Sequence, residues 1–316
     1  MAGQCRHKRG GITLNNQQIV PHLWFDKEAV EAAEFYVSIF PEGRITSKTT
    51  LRNTPSGDCD EVCFEIAGFS FMAISAGPYF QFNPSISFLL NFQPSKDAYT
   101  REKLDELWGK LSEGGTVLMP LQEYPFSKRY GWIQDKYGVT WQLILCDPGD
   151  EERPFMIPAM MFVGDVWGKA EEARDFYVSV FANSRLGEIE HYSAGMEPDK
   201  EGTVMYADYQ LANQWFVAMD SAEPHSFRFN EAISLLIRCE NQDEIDYYWD
   251  KLSTDPKAEQ CGWLKDKYGV SWQVWPTVLG EMMETGTRAQ QERLTKTFLQ
   301  MKKFNIEELK NSFEGK

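Results

Sequence analysis

Nowhere in its 316 residues does the chain hold a run of about 18 apolar residues, the length that crosses a bilayer, so no membrane span is expected. Positive charge is also scarce. Against 47 Asp and Glu stand 32 Lys and Arg, a formal charge of −15, and a surface of that sign repels phosphate backbones and anionic lipid. Nucleic acid and membranes are thereby set aside as partners. The one basic cluster, Arg6 to Arg9, sits in a polar, glycine-containing tail and reads as a solvated end. Glycine-rich phosphate loops are missing: there is no P-loop, dinucleotide fingerprint or G-x-G-x-G, nor a G-x-S-x-G elbow or H-E-x-x-H pair. Six cysteines without an apolar leader read as free thiols in a reducing compartment, so a cytoplasmic location is expected. Cys59 and Cys63 lack the second pair that a metal site would need, and read as strand residues.

What the chain does have is packing material and repetition. Apolar residues make up 42% and aromatics 14%, enough for a folded chain of about two domains. "GWIQDKYGVTWQ" (Gly131 to Gln142) returns as "GWLKDKYGVSWQ" (Gly262 to Gln273), "EFYVSIF" returns as "DFYVSVF", "FNPSISF" as "FNEAISL" and "DELWGKLS" as "DYYWDKLS", all in the same order. This is a tandem duplication. Its parts are a polar tail (1–18), a first domain (19–146), a linker (147–156) rich in Pro and acids, a second domain (157–276) and a C-terminal helical extension (277–316). The second copy lacks about ten residues found in the first between Ser112 and Gly131, which should remove a hairpin-like excursion.

Within the first copy the periodicities alternate between strand and helix. "IVPHLWF" suits a strand, followed by a helix from about Glu28 to Phe40 with Asp26 as its cap, and then by "RITSKTTL", "CDEVCFEIA" and "FSFMAIS" as extended runs. The order restarts with "SISFLLNF" and a helix over Asp97 to Leu111. Each copy is therefore βαβββ written twice. In the second copy Asn241 and Glu244 resemble a capping box. Beyond Pro276, two helices are expected, the first with Leu294, Phe298 and Met301 inward and the second capped by Asn305.

Doubled βαβββ units, the "FY" of the first helix and the D-K-Y-G turn before the last strand together resemble the vicinal oxygen chelate superfamily of glyoxalase I, bleomycin-resistance proteins and dioxygenases. "HLWFD", "EFYVSIF", "FNPSISF", "GWIQDKYGVTWQ" and their echoes look most like its PhnB-like branch, also labelled 3-demethylubiquinone-9 3-methyltransferase-like. The resemblance implies an α+β fold: tandem vicinal oxygen chelate domains, each of two βαβββ units forming half-open mixed β-barrels around a pocket, plus C-terminal helices. Its enzymes hold a divalent metal by His, Gln and Glu of the first and last strands, a Lewis-acid site. Carried over here, the closing-strand glutamate falls on Gln142 and Gln273, and the first-strand histidine on Ile19 or Val20 and on Pro158 or Ala159. The corresponding strand of the second unit offers Ser85 or Ile86, and Ala232 or Ile233. One neutral amide per pocket falls short of a cation's needs.

His22 is the exception, on the first strand and able to face the pocket or the packing side according to register, with Met161 taken as its counterpart. His225, in a loop, reads as solvated. The function expected is small-molecule binding in metal-poor aromatic pockets, the ligand-binding candidates being His22, Trp24, Ser87, Trp132, Gln142, Ser234, Trp263 and Gln273. Trp141 and Trp272 alternate with the glutamines and should point into the core. No cofactor is expected. The alternative is a lyase, isomerase or dioxygenase-like enzyme with a divalent metal bound through His22 and Gln142; a methyltransferase is disfavoured because no cofactor-binding turn is present. Duplication makes a monomer or a homodimer the expected assembly.

Overall fold

The computed structural model describes residues 17–96 and 100–316; the basic cluster of the tail and the expected helix start at Asp97 lie outside them. Four units follow one another. The first is β1 (Ile19–Phe25), α1 (Ala29–Ile39), β2 (Arg44–Thr54), β3 (Gly57–Ile66) and β4 (Phe69–Ser75). The second is β5 (Ile86–Phe92), α2 (Thr100–Ser112), β6 (Thr116–Tyr124), β7 (Ser127–Gln134) and β8 (Thr140–Leu145). The third is β9 (Met156–Phe162), α3 (Ala170–Val180), β10 (Arg185–His191), β11 (Val204–Leu211) and β12 (Gln214–Asp220). The fourth has β13 (Ile233–Cys239), α4 (Gln242–Leu252), β14 (Trp263–Lys265) and β15 (Ser271–Pro276), one strand fewer because of the deletion.

The fold is α+β with two mixed sheets, and those sheets do not follow the order of the copies. One sheet runs β14-β15-β13-β1-β4-β3-β2 and unites the first and fourth units; the other runs β10-β11-β12-β9-β5-β8-β7-β6 and unites the second and third. Each seam is an antiparallel pair of opening strands, β1 with β13 and β5 with β9. Both sheets therefore need both copies.

The register settles which way the opening strands face. Ile19, Leu23 and Phe25 join the core on the helix side, so Val20, His22 and Trp24 turn to the other, inner face. His22 lies opposite Ser234, and Ala159 lies opposite Ser87. The counterpart of His22 is therefore Ala159 and not Met161, because the Pro21 and Pro158 positions define equivalent registers, opposite Leu235 and Phe88.

Helices pack between the sheets and tie the units of one copy together. Asp135 opens the D-K-Y-G turn, with Gly138 at φ +94 and its N–H donating to the Asp135 carbonyl at 2.9 Å. A side chain at that φ would be strained, hence the glycine. The buried Asp135 carboxylate accepts from Tyr36 Oη of α1 and Trp141 Nε1, both at 2.8 Å, and from the backbone N–H groups of Tyr137 (2.9 Å) and Val139 (3.1 Å). Asp266 repeats this with Tyr177, Trp272, Tyr268 and Val270. Burial raises both carboxyls, Asp135 to about 6, with the four donors pulling the other way. Trp141 and Trp272 are fully buried in the core, as their alternation with glutamine requires.

Some local expectations are corrected. Glu28, not Asp26, is the N-cap residue of α1, and no side chain caps it. Asn241 caps α4 by accepting from the Glu244 N–H, but the Glu244 carboxylate bonds Glu240 N, so the capping box is incomplete. The extension holds three helices, α5 (Thr277–Thr285), α6 (Arg288–Phe298) and α7 (Ile306–Glu314), where two were expected; Asn305 caps the last through the Glu308 N–H.

Candidate functional site

Five of the eight anticipated residues meet on the inner face of the first sheet. Gln273 Nε2 donates to Ser234 Oγ at 2.9 Å, across from His22. Trp263 sets its ring edge-on to both His22 (5.6 Å) and Trp24 (6.0 Å), and Trp24 Nε1 donates to the Gly77 carbonyl at 2.8 Å. His22 is buried, its Nδ1 has no hydrogen-bond partner among the described residues, and burial pushes its pKa down to about 3, so the imidazole is neutral. The other three residues meet on the second sheet. Gln142 Nε2 donates to Ser87 Oγ at 2.7 Å and its Oε1 accepts from Tyr130 Oη at 2.7 Å, while Trp132 lies opposite Gln142 and packs with Met161 and Val163. The two glutamine–serine pairs are the same device on two sheets.

A partly open cavity lies beside the first cluster. There α5 and α6 cover the inner face of the first sheet and leave a cavity of about 150 Å³. Val20, Met72 and Leu236 give it an apolar floor, Met283 and Phe298 come from the helices, and Glu61, Cys63 and Arg238 supply the chemistry. None of the eight anticipated residues lines it, although Met72 sits directly opposite His22. Among the described residues neither the Arg238 guanidinium nor the Glu61 carboxylate has a hydrogen-bonding or ion-pairing partner. Burial raises the Glu61 carboxyl to about 7, and burial together with the Glu61 charge pushes the Cys63 thiol up to about 12, too high for a nucleophile. Sequence reasoning missed both charges, yet a signal existed: Arg238 is the lone charged residue of "ISLLIRC", and Glu61 shares a face with Cys63.

A divalent metal of the superfamily's kind needs three or more N or O donors, with charge among them. Here both glutamines are engaged by serines, and His22 meets the Trp263 ring and pairs across the sheet with Met72 and Ser234, none of them charged. Among the described residues no three His, Cys, Asp or Glu side chains converge. The donor set does not fit a divalent cation.

The family model described as 3-demethylubiquinone-9 3-methyltransferase matches twice, over residues 17–144 and 154–275. No curated protein matches the chain. Among solved structures, the PhnB protein of Bacillus cereus, which carries the same methyltransferase description, is 37% identical, covering 41% of this chain and 100% of that one with a TM-score of 0.37. A protein of Pseudomonas aeruginosa is 26% identical over 41% of this chain and 97% of its own, with a TM-score of 0.35. Glyoxalase I of Zea mays matches across both copies, at 85% of this chain and 96% of its own, with 12% identity and a TM-score of 0.50, a likeness of fold alone. With a family model matching each copy in turn, the chain belongs to the 3-demethylubiquinone-9 3-methyltransferase, PhnB-like family, as a tandem member.

Proposed function

We propose that the protein binds a small organic molecule in the cavity beneath α5 and α6, without a bound metal. The observation that carries this reading is the 150 Å³ cavity lined by Arg238 and Glu61, neither of which has a hydrogen-bonding or ion-pairing partner among the described residues. A cavity of about 150 Å³ is large enough for a benzene-sized guest, and unpaired charges at its wall are stabilised by a ligand that supplies partners. The Gln273–Ser234 pair on the same sheet supports it, since the two side chains engage each other and leave Arg238 and Glu61 as the charged groups of the sheet wall. The methyltransferase description stays a family name; no cofactor-binding turn speaks for that activity. Unpaired Cys59, Cys63, Cys146, Cys239 and Cys261 support a cytoplasmic location, and the sharing of both sheets between the copies supports a monomer.

The test is a thermal-shift screen of small polar compounds against the parent and a cavity-filling Val20→Phe variant. A ligand present at 100 times its Kd adds about 2.7 kcal/mol to the folded state, a rise of several degrees in Tm. Compounds that raise the parent's Tm and leave the variant's unchanged are expected. Equal shifts in both proteins, or no shift with any compound, would sink the reading.

A further inference from the structure

We infer that the ligand of this cavity is a short ω-amino carboxylate, a zwitterion whose two charges are separated by an alkyl spacer. The inference rests on the binding reading above and names its ligand. Its basis is the order of charge and apolar surface along the wall. Arg238 stands on β13 and Glu61 on β3, with β1 and β4 between them in the sheet. Arg238 lies level with Gln18 of β1 and Glu61 level with Trp24, so three interstrand spacings and six residues of strand separate them, roughly 24 Å on a diagonal of the sheet, part of which the two long side chains reach across. The floor between them is Val20 of β1, Met72 of β4 and Leu236, all apolar. On the helix side, Glu281 and Glu284 of α5 also line the cavity, so three carboxylates face one guanidinium.

That pattern discriminates among small ligands. A dicarboxylate would set one anion on Arg238 and the other among Glu61, Glu281 and Glu284. A diamine would set an ammonium against Arg238. An α-amino acid holds its charges on one carbon and cannot span the apolar floor. A molecule with its carboxylate on the Arg238 guanidinium, its methylenes over Val20 and Met72 and its ammonium at Glu61 meets both unpaired sheet charges with their complements, while the exposed Glu281 and Glu284 stay in contact with solvent. No covalent step is involved.

Binding is coupled to pH at the ammonium end. Beside Glu61 stand Cys63 on its own strand, Thr49 of β2 and Ile74 of β4, and the charged groups elsewhere on the cavity wall are Arg238 of β13 and Glu281 and Glu284 of α5. The thiol stays protonated across the neutral range, so the Glu61 carboxyl, raised to about 7, governs the change. An ammonium favours its ionised form, and affinity therefore rises from pH 6 to pH 8.

Isothermal titration of the full chain with 5-aminopentanoate, pentylamine and pentanoate tests this. The zwitterion is expected to bind at least tenfold more tightly than either half-ligand. Arg238→Gln should bring it to the level of pentylamine, and Glu61→Gln to that of pentanoate with loss of the pH 6 to 8 rise; far-UV circular dichroism and Tm verify that both variants fold. If a half-ligand binds as tightly, or Arg238→Gln leaves the affinity unchanged, the ligand class is wrong. If none of the three binds while other compounds shift the parent and not Val20→Phe, the class again falls and the binding reading stands. If no compound of either experiment binds, both fall.

Discussion

A carboxylate can be buried and ionised at neutral pH only where donors surround it, and Asp135 and Asp266 each collect four. Asp135→Asn keeps the volume but turns an amide NH₂ toward two of those donors. We expect a loss of about 2–3 kcal/mol in urea unfolding, against about 1 kcal/mol for Tyr36→Phe; a loss under half a kcal/mol for Asp135→Asn would contradict the account. The repeated D-K-Y-G was legible as a turn because glycine and its φ are local matters. The work of the aspartate was not, since its Tyr36 partner lies 99 residues away. His22 gives a pH signature. Its folded pKa, about 3, is depressed below the unfolded value near 6.5, so the unfolded chain takes up the proton first and stability falls as pH drops below 6.5. Between pH 7.5 and 5.5 the parent should lose about 1.4 kcal/mol relative to His22→Gln in urea titrations; parallel curves would mean the imidazole is solvated.

The C-terminal helices cover the inner face of the first sheet and form one wall of the cavity, so their stability and that of the site are linked. α6 lays Leu294 and Phe298 inward, with Met301 just past its end, and Thr287 caps it with a complete capping box. The stripe and the Asn305 cap were readable from spacing and residue type. α5 was not, because it follows β15 without a loop, has no side-chain cap and carries Gly280 inside it. The same limit hid the cavity: an apolar stripe says that a helix packs and not what it packs over. Phe298 touches both the core and the cavity, and Phe298→Ala should cost about 3 kcal/mol. Ligands of the parent should bind that variant more weakly in titration calorimetry, because the wall they press against has been removed. Unchanged affinity would place the ligand elsewhere.

At the scale of the chain, duplication and pairing are different facts, and only the first is written in the sequence. The alternation that turns Ile19, Leu23 and Phe25 to the core is the same whether β1 pairs with β5 of its own copy or with β13 of the other. The structure takes the second course twice, through five residue pairs at β1–β13 and five at β5–β9. Each copy alone would therefore present two opening strands as unpaired edges with apolar residues beside them, a surface that seeks a partner. A fragment of residues 1–150 is expected to self-associate, its β1 pairing with β5 of a second molecule, since those strands are the equivalents of the missing β13 and β9. Coexpressed with residues 151–316, it should instead form a 1:1 complex that retains the parent's far-UV spectrum and melts cooperatively. Light scattering on the separated species decides the matter. A stable, natively folded monomer of residues 1–150 would mean that each copy can close its own sheets, and that the pairing across copies is a preference of the intact chain and not a requirement of the fold.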